Sequence, residues 1–191
     1  MSGAALDTKD AVGRRLREVA LLQGEFVLRS GRRSSFYLDK YLFETDPQVL
    51  RGITREFGAA VRARQVAGAV YHRLAAPELG AVALAAALSL EVGLPFMIVR
   101  KSSKEYGTGK DLEGRWEPGD RVALVEDVVT SGGAALQAAE RLRAVGLVVE
   151  DLFCVVDREE GGTEAAAAAG LTLHALFTVG GLGITARGAE G

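Results

Sequence analysis

Cysteine is almost missing from this chain: Cys154 is the single one in 191 residues. No disulfide can form within the chain, and the position of Cys154 inside the apolar run 152–156 marks a buried thiol rather than a nucleophile. Long hydrophobic runs are also lacking. The apolar stretch Ala81–Leu90 is too short to span a bilayer, and the opening MSGAALDTKD has neither the basic start nor the apolar core of a signal peptide. The cytoplasm is therefore the expected location. Neither sign of charge dominates, and a formal net charge of -2 provides no general attraction to nucleic acid or to anionic membranes. The two histidines, His72 and His174, belong to no constellation with Cys or Ser that would activate a nucleophile, so both are expected to be structural. Two familiar phosphate loops are missing as well. No G-x-x-x-x-G-K-[ST] occurs, which speaks against a nucleoside-triphosphate P-loop. No G-x-G-x-x-G follows a strand, and the run Gly180, Gly181, Gly183 leaves no room for the rest of a dinucleotide fold.

What is present is the composition of a globular α/β protein, 48% hydrophobic and 25% charged. The length suits one well-packed domain with a small appendage. Residues 7–22 carry Val12, Leu16, Val19 and Ala20 at helical spacing, with Asp7 or Thr8 as N-cap. The segment GEFVLRSGRRSSFYLDK alternates apolar and polar residues around Ser30-Gly31, as a β-hairpin does. Further helices are expected at 47–61, 81–91, 134–144 and 163–169. Strands are expected at 66–71, 96–99, 122–125, 148–156 and 171–178. Strand and helix alternate through the middle of the chain, which implies a parallel sheet. No internal repeat and no linker marks a second full domain, and the tail GGLGITARGAEG is uninformative.

The stretch RVALVEDVVTSGGAAL, 121–136, organises the rest. A buried strand leads to the acids Glu126 and Asp127, then to Val128 and Val129, the hydroxyls of Thr130 and Ser131, Gly132 and Gly133, and an alanine-rich helix. A helix that starts after such a turn exposes unpaired N–H groups suited to a phosphate. Glycine permits close approach, and the hydroxyls add donors. Two carboxylates beside a bare anion would repel it, but they can accept hydrogen bonds from a sugar diol. Together these features suggest a ribose 5-phosphate cradle; an ordinary strand-to-helix turn with a polar cap is the alternative.

Two basic segments flank this unit. The hairpin holds Arg29, Arg32, Arg33 and Lys40, either as an anion-binding surface or as a solvated edge whose charge discourages aggregation. The segment RKSSKEYGTGKDLEGRWE, 100–117, has Arg100, Lys101, Lys104 and Lys110 ahead of Asp111, three glycines and no apolar period. A loop this long is a lid or binding loop more often than a connector. Its position before the cradle strand suits a cationic lid, with a solvated hairpin as the alternative. The acids and paired glycines of DREEGG, 157–162, fall where open α/β sheets bind ligands.

LVEDVVTSGGA resembles the diphosphate-sugar signature of the type I phosphoribosyltransferases. GEFVLRSGRRSSFYLDK, VRKSSKEYGTGKDLEG and VDREEGG, in that order, resemble the orotate-specific branch of that family, and the four segments cover most of residues 24–162. The resemblance implies an α/β fold with a central, mainly parallel sheet flanked by helices and a small N-terminal hood. It implies a single domain over 1–191, with the hood at about 1–45 and the core at about 46–180. Glu126 and Asp127 would hold the ribose hydroxyls of phosphoribosyl diphosphate. Val128, Val129, Thr130, Ser131, Gly132 and Gly133 would grip its 5-phosphate. Arg100, Lys101 and Lys104 would bind the diphosphate and serve catalysis, with the lid lysine reaching the neighbouring subunit of a homodimer. Arg158 would pair with the orotate carboxylate, with Thr130, Arg29, Phe36 and Tyr37 around the base. Mg2+ would be held mainly by substrate and water, with no direct protein ligand. Neither nucleic acid nor a membrane is an expected partner.

The chain departs from the family's pattern at two places. Tyr106 stands where many members place a histidine; a phenol donates a hydrogen bond but carries no imidazolium charge. In the diphosphate loop AAPELGAVALA, Gly80 stands where some members have a lysine, and Ala76, Ala81 and Ala83 replace residues that are often Gly or Pro. Two other functions fit less of the chain: transfer to a purine or another pyrimidine, which Arg158 and the hairpin argue against, and a nucleic-acid-binding regulator, for which no dense basic face is visible.

Overall fold

The computed structural model describes residues 6–27, 31, 33–101 and 111–184. Arg29, Arg32, Lys104, Tyr106 and Lys110 lie outside these residues. Helix α1 (Lys9–Ala20) starts at Thr8, whose hydroxyl accepts the Ala11 N–H, and it buries Val12, Leu16 and Ala20 at the predicted spacing. Strands β1 (Leu21–Val27) and β2 (Arg33–Leu38) pair antiparallel as the expected hairpin. A short helix that the sequence pattern does not announce follows, α2 (Lys40–Thr45), started by Asp39 accepting the Tyr41 N–H.

Helix α3 (Pro47–Val66) is capped by Asp46, which accepts N–H from both Gln48 and Val49, with proline in the first turn. It runs longer than expected, and the strand expected at 66–71 does not form. The alanines, arginines and Gln65 of 59–65 favour helix, and Gly68 at φ +100 turns the chain only afterwards. Val66 and Val70, whose branched side chains mimic a strand, are left exposed. The strand is β3 (Arg73–Pro77) instead. Then come α4 (Gly80–Val92), closed by the left-handed Gly93, and β4 (Phe96–Val99). The remaining elements are β5 (Leu112–Glu113), β6 (Arg121–Val129), α5 (Gly133–Ala144), β7 (Val148–Asp157), α6 (Gly162–Ala168) and β8 (Thr172–Thr178).

The central sheet has six strands in the order β5-β4-β3-β6-β7-β8. All neighbours pair parallel except the edge pair β4 and β5. Such a sheet must be covered on both faces, and β6 displays this directly. Ala123 and Val125 join the layer of α1, α3 and α4, with Ile53, Phe57 and Leu84. Val122 and Leu124 join the layer of α5 and α6, with Ala135, Ala138 and Leu142. The alternation slips by one across the acid pair, since Val128 packs with the first layer and Val129 with the second. Leu182 and Ile184 of the supposedly uninformative tail are buried in the first layer, and Arg17 donates to the Leu182 carbonyl. No helix among the described residues is long and apolar enough to cross a membrane.

Candidate active site

The sequence pattern ends the strand at Val125, ahead of the acids, but in the structure Glu126 to Val129 are the last residues of β6. Each acid accepts a hydrogen bond from the backbone just after it. Glu126 Oε1 accepts the Asp127 N–H at 3.1 Å, and Asp127 Oδ1 accepts the Val128 N–H at 2.6 Å. Both acids are buried, yet both line a cavity of about 820 Å³. Glu126 Oε2 has no hydrogen-bond partner. Burial, and next the charge of Asp127, push the Glu126 pKa up to about 8. A buried acceptor left open at the wall of a cavity is expensive unless a donor arrives.

The turn after the strand also presents donors to the cavity. Gly132 takes φ +82 at the N-cap of α5, a conformation that favours glycine, and no side chain caps the helix. The first N–H groups of α5 therefore remain for an anion, with Thr130, Ser131, Gly133 and Ala134 along the cavity. Gly162 lets α6 back this turn, because a Cβ there would collide with Val129 and come within 2.6 Å of the Thr130 carbonyl oxygen.

Arg100 and Lys101 leave the end of β4 and face the same cavity. The Arg100 N–H donates to the Asp111 carbonyl at 2.8 Å, which closes the base of the segment expected as a lid. Its guanidinium meets Glu113 at 3.3 Å. The Lys101 N–H donates to Glu78 Oε1 at 2.8 Å. Glu78 belongs to the loop between β3 and α4, where the Glu78–Leu79 peptide is cis. Arg141 of α5 donates to the carbonyls of both Arg100 and Lys101. Neither Gln137 nor Arg141 is among the residues expected from the sequence; the signal available was helical spacing, since Ala134, Gln137, Ala138 and Arg141 share one helix face, and all four line the cavity.

Not every expected residue reaches this space. Val129 is buried in the core, where its carbonyl accepts the Arg158 N–H at 2.8 Å. Gly132 is buried and shapes the turn from beneath. Neither Arg158 nor Phe36 lines the cavity; the Arg158 guanidinium lies 5.9 Å from the Phe36 ring and 3.0 Å from Glu160. Tyr37 faces the other way along β2 and packs on Phe26. Neither histidine is at the site. His72 Nδ1 accepts the Arg121 N–H, and His174 pairs with Asp151. Cys154 is fully buried, and burial raises its pKa far above the ordinary thiol value.

Two further residues stand at the site: Lys40, which the sequence marks only as one of the hairpin's basic residues, and Glu44, which carries no signal in the sequence. Lys40 Nζ lies 2.6 Å from Asp127 Oδ2, and Glu44 is buried with Oε1 unpartnered. The Glu44 pKa is pushed up to about 8 by burial and then by Asp127. Both come from α2, far from Asp127 along the chain.

No family model matches the chain. Individual proteins do. The chain is 46% identical over 153 residues to the orotate phosphoribosyltransferase of Methanocella arvoryzae, covering 80% of this chain and 84% of that one. The crystal structure of orotate phosphoribosyltransferase from Aeropyrum pernix superposes with a TM-score of 0.72 at 31% identity, over 90% of this chain and 96% of that one. The Mycobacterium tuberculosis orotate phosphoribosyltransferase in complex with 5-phospho-alpha-D-ribosyl 1-diphosphate superposes with a TM-score of 0.74 at 28% identity, over 92% and 98%. With an acid-floored cavity, an uncapped helix start and two cations at the end of a mostly parallel sheet, and with this identity across most of its length, the chain belongs to the orotate phosphoribosyltransferase family.

Proposed function

We propose that the protein transfers ribose 5-phosphate from phosphoribosyl diphosphate to orotate, giving orotidine 5-phosphate and diphosphate in pyrimidine biosynthesis. The observation that carries this reading at the level of residues is the unpartnered Glu126 Oε2, buried at the wall of a cavity that also holds an uncapped helix start. Glu126 and Asp127 take the ribose hydroxyls, and Val128 to Gly133 grip the 5-phosphate through the N–H groups and hydroxyls of the turn. Arg100 and Lys101, with Lys104 and Tyr106 beyond the described residues, meet the diphosphate. Arg158 takes the orotate carboxylate in a planar fork, with Thr130, Phe36 and Arg29 on the base side.

Loss of diphosphate builds negative charge on the leaving group and positive charge on the sugar. Cations already in place at the diphosphate favour the transition state over the ground state. The attacking atom is a ring nitrogen of anionic orotate, so no protein nucleophile is required. The carboxylate oxygens at the cavity wall are hard donors of the kind Mg2+ prefers, and they suit an ion held mainly by substrate oxygens and water. When bound, Mg2+ supplies neutralisation of the diphosphate charge. The working unit is one domain over 1–191, with a hood at about 1–45 above a core at about 46–180. In a homodimer, Lys104 serves the neighbouring subunit's site.

The deciding experiment is a spectrophotometric assay of orotate consumption with phosphoribosyl diphosphate and Mg2+, run beside adenine, hypoxanthine and uracil. Turnover confined to orotate is expected. Turnover only with another base, or with none, overturns the assignment.

A further inference from the structure

The sugar grip of Asp127 depends on a residue brought in from the N-terminal part of the chain. Asp127 is buried, and its two oxygens are already held, Oδ1 by the Val128 N–H and Oδ2 by Lys40 Nζ at 2.6 Å. Each oxygen keeps acceptor capacity for a ligand hydroxyl. Lys40 is also part of the cavity wall. Room for its ammonium is made at the start of α4, where Gly80 has no side chain. A Cβ on Gly80 would collide with Asp127 Oδ2 and would lie 2.7 Å from Lys40 Nζ. Helix α2 is anchored in the core by the fully buried Phe43, and it presents Glu44 one turn after Lys40, within hydrogen-bonding reach of Asp127.

Three carboxyl groups, those of Asp127, Glu126 and Glu44, thus crowd around one ammonium. Burial by itself favours the neutral amine, but the hydrogen bond and charge of Asp127 outweigh it and raise the Lys40 pKa, so the ammonium stays charged. Without that ammonium, Asp127 would stand next to two other acids with nothing to compensate it. Repulsion would turn it away from that position.

We propose that Lys40 is a positioning residue of the active site, fixing Asp127 Oδ2 through the gap left by Gly80 so that the carboxylate meets the ribose hydroxyls of phosphoribosyl diphosphate. The proposal rests on the transferase reading above, and the test separates the two. Wild-type enzyme is assayed first with orotate, phosphoribosyl diphosphate and Mg2+; absence of turnover there overturns the transferase reading itself.

With an active wild type, Lys40→Met is expected to raise the KM for phosphoribosyl diphosphate about tenfold, with kcat and the orotate KM moving less than about threefold. In an Asp127→Asn background the same substitution is expected to change that KM less than about twofold, because no carboxylate remains to be held. An unchanged KM in Lys40→Met, or an equal tenfold rise in both backgrounds, overturns the proposal. The second pattern is what direct substrate contact or a purely structural role would give. If Lys40→Met does not fold, Gly80→Ala tests the same contact from the other side. The added Cβ displaces the pair, and the same selective rise in KM is expected; an unchanged KM there overturns the proposal.

Discussion

The central sheet carries two clusters of buried acid, and they are built on opposite principles. Near the start of β7, Asp151 has every partner a carboxylate can use. The Tyr71 hydroxyl donates at 2.6 Å, Arg64 Nε donates at 3.2 Å, and His174 Nε2 lies at 2.6 Å. The His174 ring stacks on Phe153, which Tyr71 meets edge-on. Burial by itself would raise the Asp151 pKa, but the hydrogen bonds from Tyr71, His174 and Arg64 outweigh it and hold it below the ordinary value. Near the end of β6, Glu126, Asp127 and Glu44 share a single lysine, and two of their oxygens have no partner. The first cluster is finished and ties α3, β7 and β8 together. The second is left incomplete: Glu126 Oε2 at the cavity wall and Glu44 Oε1 behind it accept no hydrogen bond. Satisfaction serves stability, whereas a deficit at a cavity wall serves binding at the expense of stability.

Crossing the two clusters by mutation tests this directly. The largest effect is expected from Glu126→Gln, which should lower kcat/KM for phosphoribosyl diphosphate by roughly 100-fold, the scale of losing a charged hydrogen bond. The same change should raise the melting temperature at about pH 8 by a few degrees, since it removes a buried charge that has no partner. A fall in both activity and melting temperature would mean that Glu126 is structural.

Asp151→Asn should do the reverse. It strips the charge from a finished network at a cost of about 2–3 kcal/mol, lowering the melting temperature by roughly 5–10 °C while leaving the KM for phosphoribosyl diphosphate unchanged. A rise in that KM would join the two clusters into one functional unit.

The pH dependence of stability should separate them by sign. Glu126 and Glu44 titrate from an ordinary value of 4.5 up to about 8 in the fold. Their contribution to ligand-free stability is therefore complete below 4.5 and is lost as the pH climbs towards 8. Asp151 titrates below its ordinary 3.8, so its contribution is present above that pH and disappears as the pH falls through the lower folded value. Urea midpoints across pH should fall more steeply from about 5 to 8 in wild type than in Glu126→Gln. Asp151→Asn alone should lose the acid limb. Parallel curves would remove the distinction.

The smallest effect is expected from Tyr71→Phe, which removes one donor and leaves Asp151 two others, for about 1 kcal/mol by denaturant titration. A loss as large as that of Asp151→Asn would show that the hydroxyl carries the network.

Much of the site was legible because it is contiguous. Strand, acids, hydroxyl-glycine turn and helix succeed one another within 121–136, where the choice of glycine at 132 and the lack of a capping side chain are local facts of the chain. The face of α5 bearing Gln137 and Arg141 follows from helical spacing alone. The errors came from places where a local pattern had two outcomes. Val66 and Val70 suggested a strand, but the helix-forming residues before them carried α3 onward and left both valines in solvent. Glu126 and Asp127 read as following the strand, but they lie within it, each accepting a hydrogen bond from the next backbone N–H.

The sequence by itself determined most of the element order and the layered, mainly parallel sheet, because backbone propensity, capping and apolar period act over a few residues. Only the tertiary structure decided that Lys40 and Glu44 would meet Asp127, that Tyr71, Arg64 and His174 would converge on Asp151, and that Leu182 and Ile184 would close the core beneath α1. Lys40 and Asp127 stand 87 positions apart, as do Arg64 and Asp151. No local pattern encodes a partner at that separation; it follows from which faces the packed layers bring together.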